Sequence, residues 1–90
     1  MATNGRKAQV VGYARQAITT RYAGPTDSRG SRAIVRSSSG HRLTVSWDDT
    51  LDSFENHAAA AMKLAAKLEW FGNWTPGATE SGYVFCVVAR

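Results

Sequence analysis

The chain has a single cysteine, Cys86, so no internal disulfide can form and the stapled frameworks of small secreted domains are excluded. A reducing, cytoplasmic setting is the expectation. Long apolar runs are missing too: nothing approaches the ~20 apolar residues that a membrane-spanning helix needs. The N-terminal AQVVGYA is interrupted at Gln9 and Gly12 and followed by Arg15, so no signal peptide is read and no membrane contact is expected. Acids are scarce at the front, where residues 1–42 hold eight Lys/Arg and only Asp27. Spaced catalytic sets are absent. No GxxxxGKS or GxxxxGKT phosphate loop, no RNP signature and no GXXG loop occurs, and the only classical nucleophile, base or soft-ligand candidates besides serines are His41, His57 and Cys86.

What is present fits one small domain. Ninety residues, 43% hydrophobic and 20% charged, match an ordinary globular composition. Net stability of about 5–10 kcal/mol leaves little margin for a large catalytic cleft, which speaks against a cofactor enzyme; neither catalysis nor a cofactor is expected. The net charge of +4 conceals a separation, since residues 43–80 carry two Lys against six acids. A basic front half points to an anionic partner.

Residues 1–15 show neither helical nor strand period and are expected to form a flexible arm, with one domain over 16–90. Alternation of Ile18, Thr20 and Tyr22 with Thr19 and Arg21 predicts a strand over about 17–22. "RYAGPTDSRGSR" follows, and its Gly24-Pro25 and Asp27-Ser28 are turn chemistry. Strands are predicted over 32–37 and 42–47, joined by Ser38-Ser39-Gly40-His41 as a hairpin turn with glycine at positive φ. Asp52 and Glu55 form a capping-box pattern opening a helix over about 53–70. Its expected apolar stripe is Phe54, Ala58, Ala61, Ala65 and Leu68, flanked by His57, Met62 and Leu64, with Asn56, Lys63 and Lys67 opposite and Gly72 as C-terminal cap. Asn73-Trp74 should begin a short strand, Pro76-Gly77 should turn the chain, and YVFCVV, apolar on both alternating faces, should be a strand with neighbours on both sides. The expected fold is α+β: a two-layer, mostly antiparallel sheet of four or five strands with one helix packed on one face.

Period-two alternation then carries the functional reading. If the first three strands are neighbours, Ala33, Val35, Leu43 and Val45 face the helix, and Arg32, Arg36 and Arg42, joined by Arg21, emerge on the other side. Guanidiniums on a rigid sheet make bidentate contacts to phosphate or carboxylate, although an arginine-studded solvated face has the same pattern. The opening loop leads into a strand rather than a helix N-terminus, which makes it a connector first, with Arg29 and Arg32 as basic rim residues. Trp70 and Trp74 either cap the end of the domain or anchor a partner. Cys86 in an apolar strand reads as a packing thiol, and His57 as a packing or hydrogen-bonding histidine. Asp48 and Asp49, adjacent in an extended segment, point apart, and no metal-ligand spacing is seen.

The succession "AITTRYAGPTDSRGSR", "LTVSWDD" and "LDSFENHAAAAMKLAAKLEW" resembles an uncharacterised group of small proteins carried by bacterial phages and plasmids, over about residues 17–88. The resemblance implies a cytoplasmic protein that binds and blocks a host nucleic-acid-dependent defence complex, as anti-CRISPR proteins do. Its partner would be a host defence protein or ribonucleoprotein, engaged by Arg21, Arg32, Arg36 and Arg42 with aromatics near Trp70 and Trp74. The alternative is a nucleic-acid-binding accessory or regulatory protein holding DNA or RNA phosphates on the same face. A homodimer is compatible with either.

Overall fold

The computed structural model describes residues 7–89. Of the expected arm, residues 1–6 lie outside the described residues; Lys7 to Arg15 carry neither helix nor strand and are exposed. The elements that follow are β1 (Ala17–Ala23), β2 (Arg32–Ser37), β3 (Arg42–Ser46), α1 (Ser53–Lys67), β4 (Asn73–Ala78) and β5 (Gly82–Ala89). The strands form one antiparallel sheet in the order β3-β2-β1-β5-β4, and α1 packs on one face of it. This is the expected α+β architecture. β5 lies between β1 and β4, as its two apolar faces require. Among the described residues no helix is long and apolar enough to cross a membrane.

The core forms where the alternation of the strands meets the small side chains of the helix. Ile18 on β1, Ala33 and Val35 on β2, and Phe85 on β5 are buried against Ala60, Ala61, Leu64 and Ala65 of α1. Alanines bring the helix axis close to the sheet, so that Ile18 and Val35 are fully enclosed; each large aliphatic buried this way stabilises the fold by about 1.5–3 kcal/mol. The buried stripe is rotated from the expected one. Asn56, expected on the polar side, is 5% exposed, and Phe54 and Met62 sit at the rim. The reason lies in the loop before the helix. Asn56 Oδ1 accepts from Asp48 N at 2.8 Å, while its Nδ2 donates to the carbonyls of Asp48 (2.9 Å), Leu51 (3.3 Å) and Asp52 (3.1 Å). One amide side chain thus satisfies four backbone groups of the β3–α1 connection.

The capping box is present: Asp52 Oδ1 accepts from Glu55 N at 2.8 Å and Glu55 Oε1 accepts from Asp52 N at 2.9 Å. The other end departs from expectation. The helix stops at Lys67, and the residue that reverses the chain is Glu69 at φ 58° rather than Gly72. Trp70 N donates to Ala65 O at 2.8 Å and Glu69 N to Ala66 O at 3.1 Å, the paired bonds of a Schellman ending. Gly72, at φ 128°, instead admits the chain to β4.

Pro76-Gly77 does not turn the chain. Both lie inside β4, and the reversal falls on residues 79–82, closed by Thr79 N donating to Gly82 O at 2.9 Å. β4 is an edge strand paired only with β5. That closing bond, alternating along the ladder, aims the backbone nitrogen of Pro76 away from β5, so proline costs the sheet no hydrogen bond. The 38–41 turn is as expected: Gly40 has φ 95° and Ser37 N donates to His41 O at 2.8 Å.

Candidate anion-binding face

Strand register decides which side chains share a face. Arg21 pairs with Ile34, and Ile34 with Thr44; Thr19 pairs with Arg36, and Arg36 with Arg42; Ala23 pairs with Arg32, and Arg32 with Ser46. Since Ile18 and Val35 point into the helix-side core, all four arginines emerge on the face that α1 leaves bare. None of the seven Asp/Glu of the chain lies in a strand. The bare face therefore carries positive charge with no carboxylate on its own framework.

The four arginines are not equivalent. Arg21, Arg36 and Arg42 are exposed. Arg32 is half-buried, its Nη1 donates to the carbonyls of Gly24 and Gly30 at 3.2 Å each, and its Nε is enclosed without an acceptor. It holds the "GPTDSRG" loop in place through Nη1 and offers less of its guanidinium to a ligand than the three exposed arginines do. In the same loop, Arg29 N donates to Thr26 Oγ1 at 3.1 Å and Thr26 N to Arg29 O at 2.7 Å. The loop is a self-bonded connector that displays the Arg29 side chain at the rim of the sheet.

Arg36 and Arg42 form the centre. Ser37 N donates to His41 O and Trp47 N to Ser31 O, and alternation along an antiparallel ladder makes Arg36–Arg42 a non-hydrogen-bonded pair, the type with the closer side chains. Arg21 is the diagonal neighbour of Arg36, about 7–8 Å away. Beside them lies a shallow depression of about 320 Å³ lined by Thr19, Arg21, Ile34, Arg36, Thr79 and Ser81.

On β5 the bare face is apolar, with Thr75 and Gly77 of β4 beyond it. Val84 and Cys86 on β5 are half-buried and Val88 is 48% exposed. The face thus divides into a basic half on β3, β2 and β1 and an apolar half on β5. Its strand positions hold no aromatic residue. Tyr22, Tyr83 and Phe85 share the register of the helix side, and Trp70 and Trp74, half-buried against the core, stack on each other with ring centroids 6.4 Å apart and planes 16° from parallel. Arginines and tryptophans therefore lie on opposite sides of the sheet. A flat contact on the bare face does not include the tryptophan pair, which packs against the core. Phe71, beside them in sequence, is exposed.

The titratable groups on the helix side are structural. His57 is 2% exposed; its Nδ1 lies 2.7 Å from Thr20 Oγ1, and the rings of Trp47 and Tyr83 enclose it at 5.5 and 5.0 Å between centroids. Burial pushes its pKa below the ordinary value. Asp48 accepts from Thr50 Oγ1 at 2.6 Å and Thr50 N at 2.9 Å, and the hydroxyl bond is the main cause of its lowered pKa. Among the described residues no group of three or more His, Cys, Asp and Glu is placed to hold a metal ion. Thr20, Ser37 and Asn56 are buried polar residues; Thr20 lies on the face of Ile18, as its period predicts, and its hydroxyl is satisfied by His57 Nδ1.

No family model, no curated protein and no solved structure matches this chain.

Proposed function

We propose that this protein is a non-catalytic binding module of a mobile genetic element that inhibits a host nucleic-acid-dependent defence complex, laying Arg21, Arg36 and Arg42 against an acidic protein surface. The observation that carries the binding part is an arginine cluster on a sheet whose strands contain no acid. Two directly opposed guanidiniums repel each other in the free protein and are relieved when an anion sits between them. The apolar strip of Val84, Cys86 and Val88 beside the cluster favours a protein over bare phosphate, because arginine mixed with apolar area is the composition of protein interfaces, whereas a phosphate track is uniformly basic and polar. The phage and plasmid origin, and with it the defence complex as target, rests on the sequence resemblance alone.

The second reading, a nucleic-acid-binding accessory protein, is favoured by the same three arginines. Without aromatics on the bare face it would hold phosphates and leave bases unread. Salt titration separates the two. Binding of labelled single- and double-stranded oligonucleotides through three arginines should show log K falling against log salt with a slope of about −2 to −3. The inhibitor reading expects no oligonucleotide shift at low salt, and capture from lysate of a defence-competent host should recover a subunit of the defence complex with the wild type but not with an Arg21→Glu, Arg36→Glu, Arg42→Glu variant. Equal recovery by both proteins would remove the arginine face from the mechanism.

A further inference from the structure

We infer that the outer edge of β3 is a docking site for an acidic, extended segment of a partner protein, added as a sixth strand. The inference stands apart from the arginine face and begins with the two edges of the sheet. On β4 the outward row of amides is interrupted by Pro76 and the ladder is irregular at Asn73/Trp74, features that blunt strand addition. β3 has neither. In its register with β2, Leu43 and Val45 spend their backbone groups on β2, so the N–H and C=O of Arg42, Thr44 and Ser46 point away from the sheet.

Beside this edge, on the helix side, runs an open groove of about 470 Å³ lined by Leu43, Val45, Ala66, Lys63 and Lys67, together with Thr44 and Ser46. Leu43 and Val45 are half-buried, and both lysines are exposed. An added strand would place alternate side chains against Leu43, Val45 and Ala66, while acidic residues at its rim would reach Lys63 and Lys67. Asp48, the carboxylate that feels Lys63, is already bonded to Thr50. A second copy of the chain fits poorly: antiparallel pairing of β3 with itself would bring the Lys63 and Lys67 of both copies together on one side. The lysines that repel a second copy attract carboxylates, and backbone pairing with alternate side-chain pockets is the ordinary mode of strand addition.

The test uses an acetylated heptapeptide, Glu-Thr-Val-Thr-Val-Thr-Glu, whose Glu and Val side chains share one face, with Lys in place of both Glu as control, titrated into the labelled full chain and followed by amide NMR. The acidic peptide should shift the amides of residues 42–46 saturably and slow hydrogen exchange at Thr44 and Ser46, and the basic peptide should not. Lys63→Glu with Lys67→Glu, both on the surface, should weaken binding by about tenfold, from two lost ion pairs and the new repulsion. Thr44→Pro removes an outward N–H, as Pro76 does on β4, and should abolish binding in a folded protein; Arg21→Glu with Arg36→Glu should leave it unchanged, which separates this site from the bare face. Shifts confined to β4 or the bare face, no saturable binding at low salt, equal binding of both peptides, or dimerisation through β3 in sedimentation would overturn the proposal.

Discussion

Arg36 on β2 and Arg42 on β3 stand directly opposite each other in a non-hydrogen-bonded cross-strand pair on the face that the helix leaves bare. Like charges in that relation destabilise a sheet, and opposite charges stabilise it, by roughly 0.2–1 kcal/mol. Arg36→Glu should therefore raise stability, moving the thermal midpoint up by about 2–5 °C for a domain of this size, while weakening the binding of an anionic partner at least tenfold. Calorimetry and partner titration on the same variant measure the two effects. A fall in both would mean that Arg36 holds the fold together and is not kept for a ligand.

Glu69 ends the helix in a left-handed conformation at φ 58°, where a side chain costs about 1 kcal/mol or more relative to glycine. Glu69→Gly should stabilise the protein by about 1 kcal/mol, and Glu69→Ala should give no comparable gain. Urea denaturation of the two variants checks this. A Glu69→Gly variant no more stable than the wild type, with Glu69→Ala less stable than both, would show that the Glu69 carboxylate offsets the strain.

The contrast between these sites explains what could be read in advance. The bare-face placement of Arg21, Arg36 and Arg42 was legible because a strand has period two, and once neighbours pair the register leaves no freedom. Arg32 obeys the same period, yet its guanidinium turns to the carbonyls of Gly24 and Gly30, and a connector's backbone path has no period to read. The chain path after α1 was hidden for a similar reason: it is set by a Schellman ending at a glutamate, where glycine at residue 72 was the stronger local signal. The rotated stripe of α1 follows from Asn56, a polar residue buried because it bonds the loop that delivers the helix. Sequence pattern reads side chains one at a time and does not see the partner that makes a buried amide satisfied.

His57 couples the core to pH. Its pKa is held below the ordinary value of about 6.5 by burial, so the unfolded chain binds the proton more readily than the folded one. Stability is then complete above about pH 6.5 and declines as pH falls through 6.5 toward the lowered folded pKa. His57→Gln keeps a hydrogen-bonding group near Thr20 Oγ1 and has no proton to gain. Urea midpoints between about pH 7.5 and 5.5, above the range where carboxylates titrate, should fall for the wild type and stay level for the variant. A level wild-type profile would remove His57 as the source.

Gly82 opens β5 at the centre of the sheet, opposite Arg21. A Cβ there would be driven into the carbonyl of Thr20 and against Arg21 Cα, and these are backbone atoms of the adjacent strand that no rotamer change can move aside. Gly77, on the edge strand, presents a different case, since its Cβ would meet Val84 Cγ1 at 3.3 Å, a contact that a small side-chain shift relieves. Gly82→Ala should therefore cost about 3 kcal/mol, at the upper end of overpacking, and should loosen the β1–β5 pairing that fixes Arg21 beside Arg36. Gly77→Ala should cost less than about 1 kcal/mol. Urea unfolding ranks the two, and amide exchange at Thr20 and Tyr83 locates the damage. Equal costs would mean that β5 and β1 have room to separate, and the rigid spacing argued for the arginine cluster would go with it.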